Sequence, residues 1–172
     1  MAVPKKVTNY LDKAKVKYDV VKHKTVYTTF DLANTLKEKM DNIAKTLLVK
    51  ADKRYVLVAL PAHYRLDLDK LKKLLKAKTV ELAKELHMQK LLGIKPGALT
   101  PFGRLHKLEV VLDKALVKAG KILVGAGSFT EHLRMKAADL HKLESTTLGS
   151  FGAKAVGKVK AVAKKAAVKL KK

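Results

Sequence analysis

Cysteine is absent from the chain, which excludes disulfides, thiolate-held metal and a cysteine nucleophile. No apolar run reaches the about 18 residues that would mark a membrane span. Met1 to Tyr10 lacks the apolar centre of a signal peptide. A soluble, cytoplasmic protein with no stable membrane association is the expectation. His23, His63, His87, His106 and His141 fall at no metal-ligand spacing with one another or with carboxylates. The glycine runs fit neither the P-loop nor the dinucleotide fingerprint. Neither a metal nor a cofactor is therefore expected. Acids are scarce, with 15 Asp and Glu against 38 Lys and Arg, for a net charge of +23. Arginine is scarce too, confined to Arg54, Arg65, Arg104 and Arg134.

That excess of positive charge attracts polyanions, nucleic acid first among them. Lysine meets phosphate as a point charge, whereas arginine forks onto base edges, so backbone contact is favoured over sequence readout. A lysine-rich surface set by general composition is the other reading. At 172 residues the chain fits one domain, long enough to bury roughly 70% of its unfolded surface. Composition changes near Gly149-Ser150-Phe151-Gly152. Residues 153–172 hold eight lysines and no acids among Ala, Val, Gly and Leu, which leaves 30 basic and 15 acidic residues in the body. The boundary is placed between a domain at 1–148 and a basic tail at 149–172. Val156, Val159, Val162, Ala163, Ala166, Ala167 and Leu170 recur in the tail at helical spacing. In water such a segment is disordered by charge repulsion, and on a polyanion or a membrane it becomes an amphipathic helix.

The body alternates helix and strand signals. Helices are predicted over 5–16, after Thr28 or Thr29 as a cap, and over 67–76, 84–92 and 137–143. Strands are predicted at 18–22, 79–82, 108–112, 121–124 and near 132–135. A hairpin is predicted from 46–51 and 55–60 around Asp52-Lys53-Arg54. Together these give an α+β class with a mixed sheet flanked by helices.

The residues 93–103, GIKPGALTPFG, join Gly93, Gly97 and Gly103 to Pro96 and Pro101. Glycine allows close backbone approach and proline fixes its own φ, so chemistry here would come from backbone N–H groups holding a carbonyl oxygen or a water. An ordinary connecting turn is the alternative. Lys45 stands at the head of an apolar strand, where it can reach an anion or hydroxyl or lie along the surface. His132 follows Gly125-Ala126-Gly127-Ser128-Phe129 and suits proton transfer or a structural hydrogen bond.

KTLLVKADKRYVLVALPAHYRLDLDKL (45–71), GIKPGALTPFG (93–103) and KILVGAGSFTEHLRMKAADL (121–140) occur in an order that resembles the YbaK/prolyl-tRNA-editing family, over about residues 5–145. The resemblance implies a mixed, curved β-sheet flanked by helices and the hydrolysis of mischarged aminoacyl-tRNA. It implies Lys45 as the family's signature lysine and Gly97 through Pro101 as its Gly-x-x-x-Pro loop. Lys45 and Gly97 then carry catalysis, while Thr46, His23, Ala98, Leu99, Thr100, Pro101, Gly127 and His132 contact the substrate. Thr46 resembles the broad or cysteinyl-type branch and His132 the alanine-type branch, so a small aminoacyl group (Ala, Cys or Ser), on tRNA-Pro, is expected. The implied partners are aminoacyl-tRNA and an aminoacyl-tRNA synthetase. The tail lies outside the resemblance, and its Lys154, Lys158, Lys164 and Lys165 are expected to grip the tRNA backbone. A non-catalytic nucleic-acid-binding module on the same fold is the alternative function, and a membrane-surface protein a third.

Overall fold

The sheet is built on a hairpin whose second strand is apolar almost throughout. In the computed structural model, which describes residues 2–95 and 97–154, β2 (Ala44–Ala51) and β3 (Arg54–Pro61) pair antiparallel around Asp52, whose φ is +55°. Val56, Val58 and Leu60 of β3 pack into one cluster with Leu71 and Leu75 of α3 (Leu68–Leu75). Leu57 and Ala59 join clusters on the opposite face. A strand covered on both sides reads as a continuous apolar run, and here it lies at the centre of the five-stranded sheet. The order is β5 (Val80–Leu82), β2, β3, β6 (Glu109–Asp113) and β9 (Thr147–Gly149). β5 and β2 are antiparallel, while β3, β6 and β9 run parallel, so the sheet is mixed.

A second sheet joins β1 (Asp19–Lys22), β8 (Glu131–Lys136) and β7 (Lys121–Gly125), all antiparallel. Its inner face packs against α1 (Lys5–Lys13) and α6 (Ala137–Glu144) through Leu11, Ile122, Leu133 and Leu140. A parallel bridge between Ile43 and Leu123 ties the two sheets. That bridge sets the start of β2 beside the end of β7, which fixes where Lys45 stands. The remaining helices are α2 (Thr29–Leu36), α4 (Glu85–Leu92) and α5 (Lys114–Ala119). The expected α+β class with a mixed sheet is the fold this chain forms.

Differences from the sequence reading concern short elements and ends. Helix α1 stops at Lys13 rather than Val16, because Lys15 takes a left-handed φ of +58°. β4 (Tyr64–Leu66) and β10 (Gly152–Lys154) form a two-stranded ribbon that the sequence did not suggest. The fold accordingly runs past the expected boundary at 148, to Lys154. The reason is the fully buried Phe151, which packs with Val58 and Leu60, and the pairing of β10 with β4. The amphipathic segment from residue 155 onward, with Lys158, Lys164 and Lys165, lies outside the described residues. Lys154 is exposed at the end of β10.

Candidate active site

A cleft of about 350 Å³ opens where β2 enters the sheet. Its walls are the start of α2 (Tyr27 to Thr29), Lys45 and Thr46, Glu85 and Met88 of α4, Gly97 and Leu99, and Gly125 with His132. Lys45, Thr46, Gly97, Leu99 and His132, five residues expected from the sequence, thus converge on one space.

The loop keeps its place by backbone contact. Gly97 has φ +88°, and a Cβ there would lie 2.9 Å from the Tyr27 carbonyl oxygen and 3.3 Å from the Phe129 ring. A Cβ on Gly125 would overlap the Leu99 carbonyl oxygen outright. Only glycine at these two positions lets the loop lie between Tyr27 and the end of β7. The Ala98 N–H donates to Lys95 O at 3.1 Å and is spent on the turn. The N–H groups of Gly97 and Leu99 have no partner among the described residues, and both residues face the cleft.

The half-buried Lys45 donates from Nζ to the Tyr64 carbonyl oxygen at 2.6 Å. Burial first, and the Arg65 charge second, hold its ammonium below the usual lysine range. It pairs with no carboxylate among the described residues. An ammonium has three N–H donors, so the single bond to Tyr64 leaves two for a ligand. Beside it, Thr46 Oγ1 is buried without a hydrogen-bond partner among the described residues.

His132 is buried and its Nδ1 lies 2.8 Å from Nε2 of His23, whose Nδ1 in turn lies 2.7 Å from Lys24 O. A carbonyl only accepts, so His23 Nδ1 carries a proton, and with His23 neutral its Nε2 accepts from His132 Nδ1–H. His132 Nε2 then keeps a lone pair. Burial, and secondarily the His23 charge, push the His132 pKa down to about 4. His23 therefore sits behind His132 and fixes its proton.

Other expected contacts fall elsewhere. Ala98, Thr100 and Gly127 line a separate cavity of about 220 Å³ with Pro4, Lys6 and His106, on the other side of the loop. Ala98 and Thr100 alternate along the loop with Gly97 and Leu99, which line the Lys45 cleft, and Gly127 reaches the second cavity from the separate loop after β7. Pro101 is buried and lines neither space; its carbonyl accepts from Gly103 N–H at 3.1 Å. The sequence offered Thr28 or Thr29 as a cap, of which Thr28 is the one used, but did not show that this helix start belongs to the site. Thr28 Oγ1 accepts from Asp31 N–H at 3.0 Å, and Thr28 and Thr29 at this helix start line the cleft. Among the described residues no group of three or more His, Asp or Glu could hold a metal ion, and no helix is long and apolar enough to cross a membrane.

The model of the aminoacyl-tRNA editing domain matches residues 23–143. The chain belongs to that family, whose members are aminoacyl-tRNA deacylases. It is 29% identical over 149 residues to the prolyl-tRNA editing protein ProX of Acetoanaerobium sticklandii, covering 83% of this chain and 91% of that one. It is also 28% identical over 132 residues to a proline–tRNA ligase of Macrococcus caseolyticus, with 77% of this chain matched to 22% of the ligase. The chain thus spans about a fifth of the ligase's length. Among solved structures, a protein described as a putative trans-editing enzyme for prolyl-tRNA synthetase aligns with a TM-score of 0.77 at 21% identity, over 87% of this chain and 96% of that one. A hypothetical protein aligns with a TM-score of 0.81 at 21% identity, over 86% and 99%. These two likenesses establish the fold.

The buried imidazole makes a stability prediction. With a folded pKa of about 4 against an ordinary 6.5, native His132 refuses a proton that the unfolded chain takes. Its contribution is full above about pH 6.5 and declines as pH falls towards 4, by about 3 kcal/mol in all. Urea unfolding from pH 7 to 4 should show this decline, and His132→Gln should flatten it relative to the parent. Parallel pH profiles in the two proteins would contradict the assignment.

Proposed function

We propose that this chain is a free-standing, trans-acting editing enzyme that removes a small amino acid, Ala, Cys or Ser, from mischarged tRNA-Pro by hydrolysing the aminoacyl ester. The observation that carries the proposal is that the Lys45 ammonium, with no counter-charge among the described residues, lines one cleft with Gly97 and Leu99, whose N–H groups have no partner among those residues. The name of the Acetoanaerobium sticklandii relative and the matching segment in a proline–tRNA ligase support tRNA-Pro as the adaptor.

The chemistry fits the groups present. An aminoacyl ester is already activated, so its hydrolysis needs positioning and an oxyanion site more than a strong base. Water attacks the ester carbonyl, the carbon–oxygen bond to the ribose breaks, and the ribose oxygen takes the proton. In this reading the Gly97 and Leu99 N–H groups hold the carbonyl oxygen or the water. Ala98 drops out of that role, because its N–H is already bound. Lys45 uses its spare donors on the terminal adenosine, through a ribose hydroxyl or a phosphate oxygen. His132, at about 4, is too weak a base to hold a proton near neutrality, so its Nε2 lone pair orients a donor instead. No side chain acts as a nucleophile. The substrate and the synthetase that charges it would meet the protein in the cytoplasm. A non-catalytic nucleic-acid binder would draw on the +23 charge but leave the Lys45 ammonium and the glycine loop without a use.

The lysine-rich tail serves affinity in this proposal, with Lys154, Lys158, Lys164 and Lys165 on the phosphate backbone. Because β10 belongs to the fold, the segment to remove for a test begins at residue 155.

Release of each amino acid from a panel of mischarged tRNAs tests the activity. Lys45→Ala should lower deacylation at saturation by about 100-fold or more while the protein stays folded. Gly97→Ala should do likewise by pressing on Tyr27. Undiminished turnover in Lys45→Ala would refute its role. Deleting 155–172 should weaken tRNA binding and flatten its salt dependence, by roughly 0.7 to 0.9 in the log–log slope for each phosphate that is no longer neutralised. An unchanged slope would count against the tail.

A further inference from the structure

The ammonium of Lys45 is held by the Tyr64 carbonyl of β4, a three-residue strand whose Tyr64 and Leu66 pack against the cluster around Phe151. Among the described residues β4 pairs with one strand, β10, in the register Tyr64 with Lys154, Arg65 with Ala153 and Leu66 with Gly152. β10 lies beyond the family match, which ends at residue 143. Its own anchorage is firm. The Asp113 carboxylate, 3% exposed, accepts from Gly152 N–H at 2.8 Å and from Phe151 N–H at 3.2 Å. Phe151 is fully buried, and its carbonyl accepts from Asp67 N–H at 2.8 Å, just past the end of β4. Gly152 has no room for a side chain: a Cβ would lie 2.8 Å from the Tyr64 ring and 3.0 Å from the Asp113 carboxylate. A continuous set of contacts therefore runs from Asp113 through β10 and Tyr64 to Lys45 Nζ.

We infer, resting on the catalytic reading of Lys45 above, that β10 is a positioning element of the deacylation site, clamping β4 so that the Tyr64 carbonyl aims the Lys45 ammonium into the cleft. The C-terminal segment then has two separable duties. The backbone of β10 sets the geometry of the chemical step, while the exposed Lys154 side chain and the residues from 155 onward set affinity for tRNA. A misplacement of about 1 Å in a positioned group can cost on the order of 100-fold in rate. Lys45 has one hydrogen bond to fix it, so movement of Tyr64 passes straight to the ammonium.

The test uses the full-length protein carrying Gly152→Val, which pushes β10 off Tyr64. Single- and multiple-turnover deacylation should show kcat lowered about 10- to 100-fold with KM unchanged, in a protein that still unfolds cooperatively. A purely structural defect would lower kcat and melting temperature whether or not Lys45 is present. A double-mutant cycle separates the two: in a Lys45→Ala background, Gly152→Val should add no further loss. An additive loss, or a parent-like kcat in Gly152→Val while Lys45→Ala is inactive, would overturn the inference. Full activity in Lys45→Ala itself would instead sink the catalytic reading on which it rests. Should Gly152→Val fail to fold, Gly152→Ala makes the same displacement on a smaller scale, and the same cycle decides.

Discussion

The carbonyl of Leu99 rests on the bare Cα of Gly125, and the geometry of the cleft follows from that contact. Two backbones meet with no side chain between them, so the loop forms a wall of amide groups and not a fringe of side chains. Tyr27 closes the other side of the loop, where Gly97 is equally bare. Held from both directions, Gly97 and Leu99 line the cleft, and their N–H groups have no partner among the described residues. Preorganised donors of this kind are what a developing oxyanion requires.

Electrostatics work in the same direction. Burial acts on Lys45 and His132 alike, disfavouring the protonated form of each. For His132 the outcome is a neutral ring whose free nitrogen is dictated by His23. For Lys45 it is a poorly solvated ammonium with unspent donors, which gains more from a polar ligand than an exposed lysine would. The surrounding protein carries 38 basic residues against 15 acidic ones, a charge excess that attracts polyanions at long range.

Much of this was legible in the residues. The continuous apolar run of β3 marks a doubly covered strand, Thr28 announces α2 by capping it, and the helix expected over 67–76 is α3, with Asp67 as its cap. Lys45, Thr46, Gly97, Leu99 and His132 were all named from sequence and share one cleft. What could not be read was non-local. β4 and β10 are three residues each, too short for a period to register, and they exist because each supplies the other's partner. Gly152-Ala153-Lys154 resembles the tail in composition, and only the distant Asp113 carboxylate and the core around Phe151 make it part of the fold. Phe151 was the available signal, a large aromatic at the edge of a segment rich in lysine and alanine. Ala98, Thr100 and Gly127 belong to a second cavity because motif proximity says nothing about which side of a loop a residue faces.

The most direct measurement is an amide-resolved NMR titration with an aminoacyl-adenosine analogue whose ester is replaced by an amide. The account predicts saturable shifts centred on the N–H groups of Gly97 and Leu99, with Thr29 and Thr46 moving alongside. Shifts gathered instead around Lys6 and His106, with those amides unmoved, would place the substrate on the wrong side of the loop and contradict it.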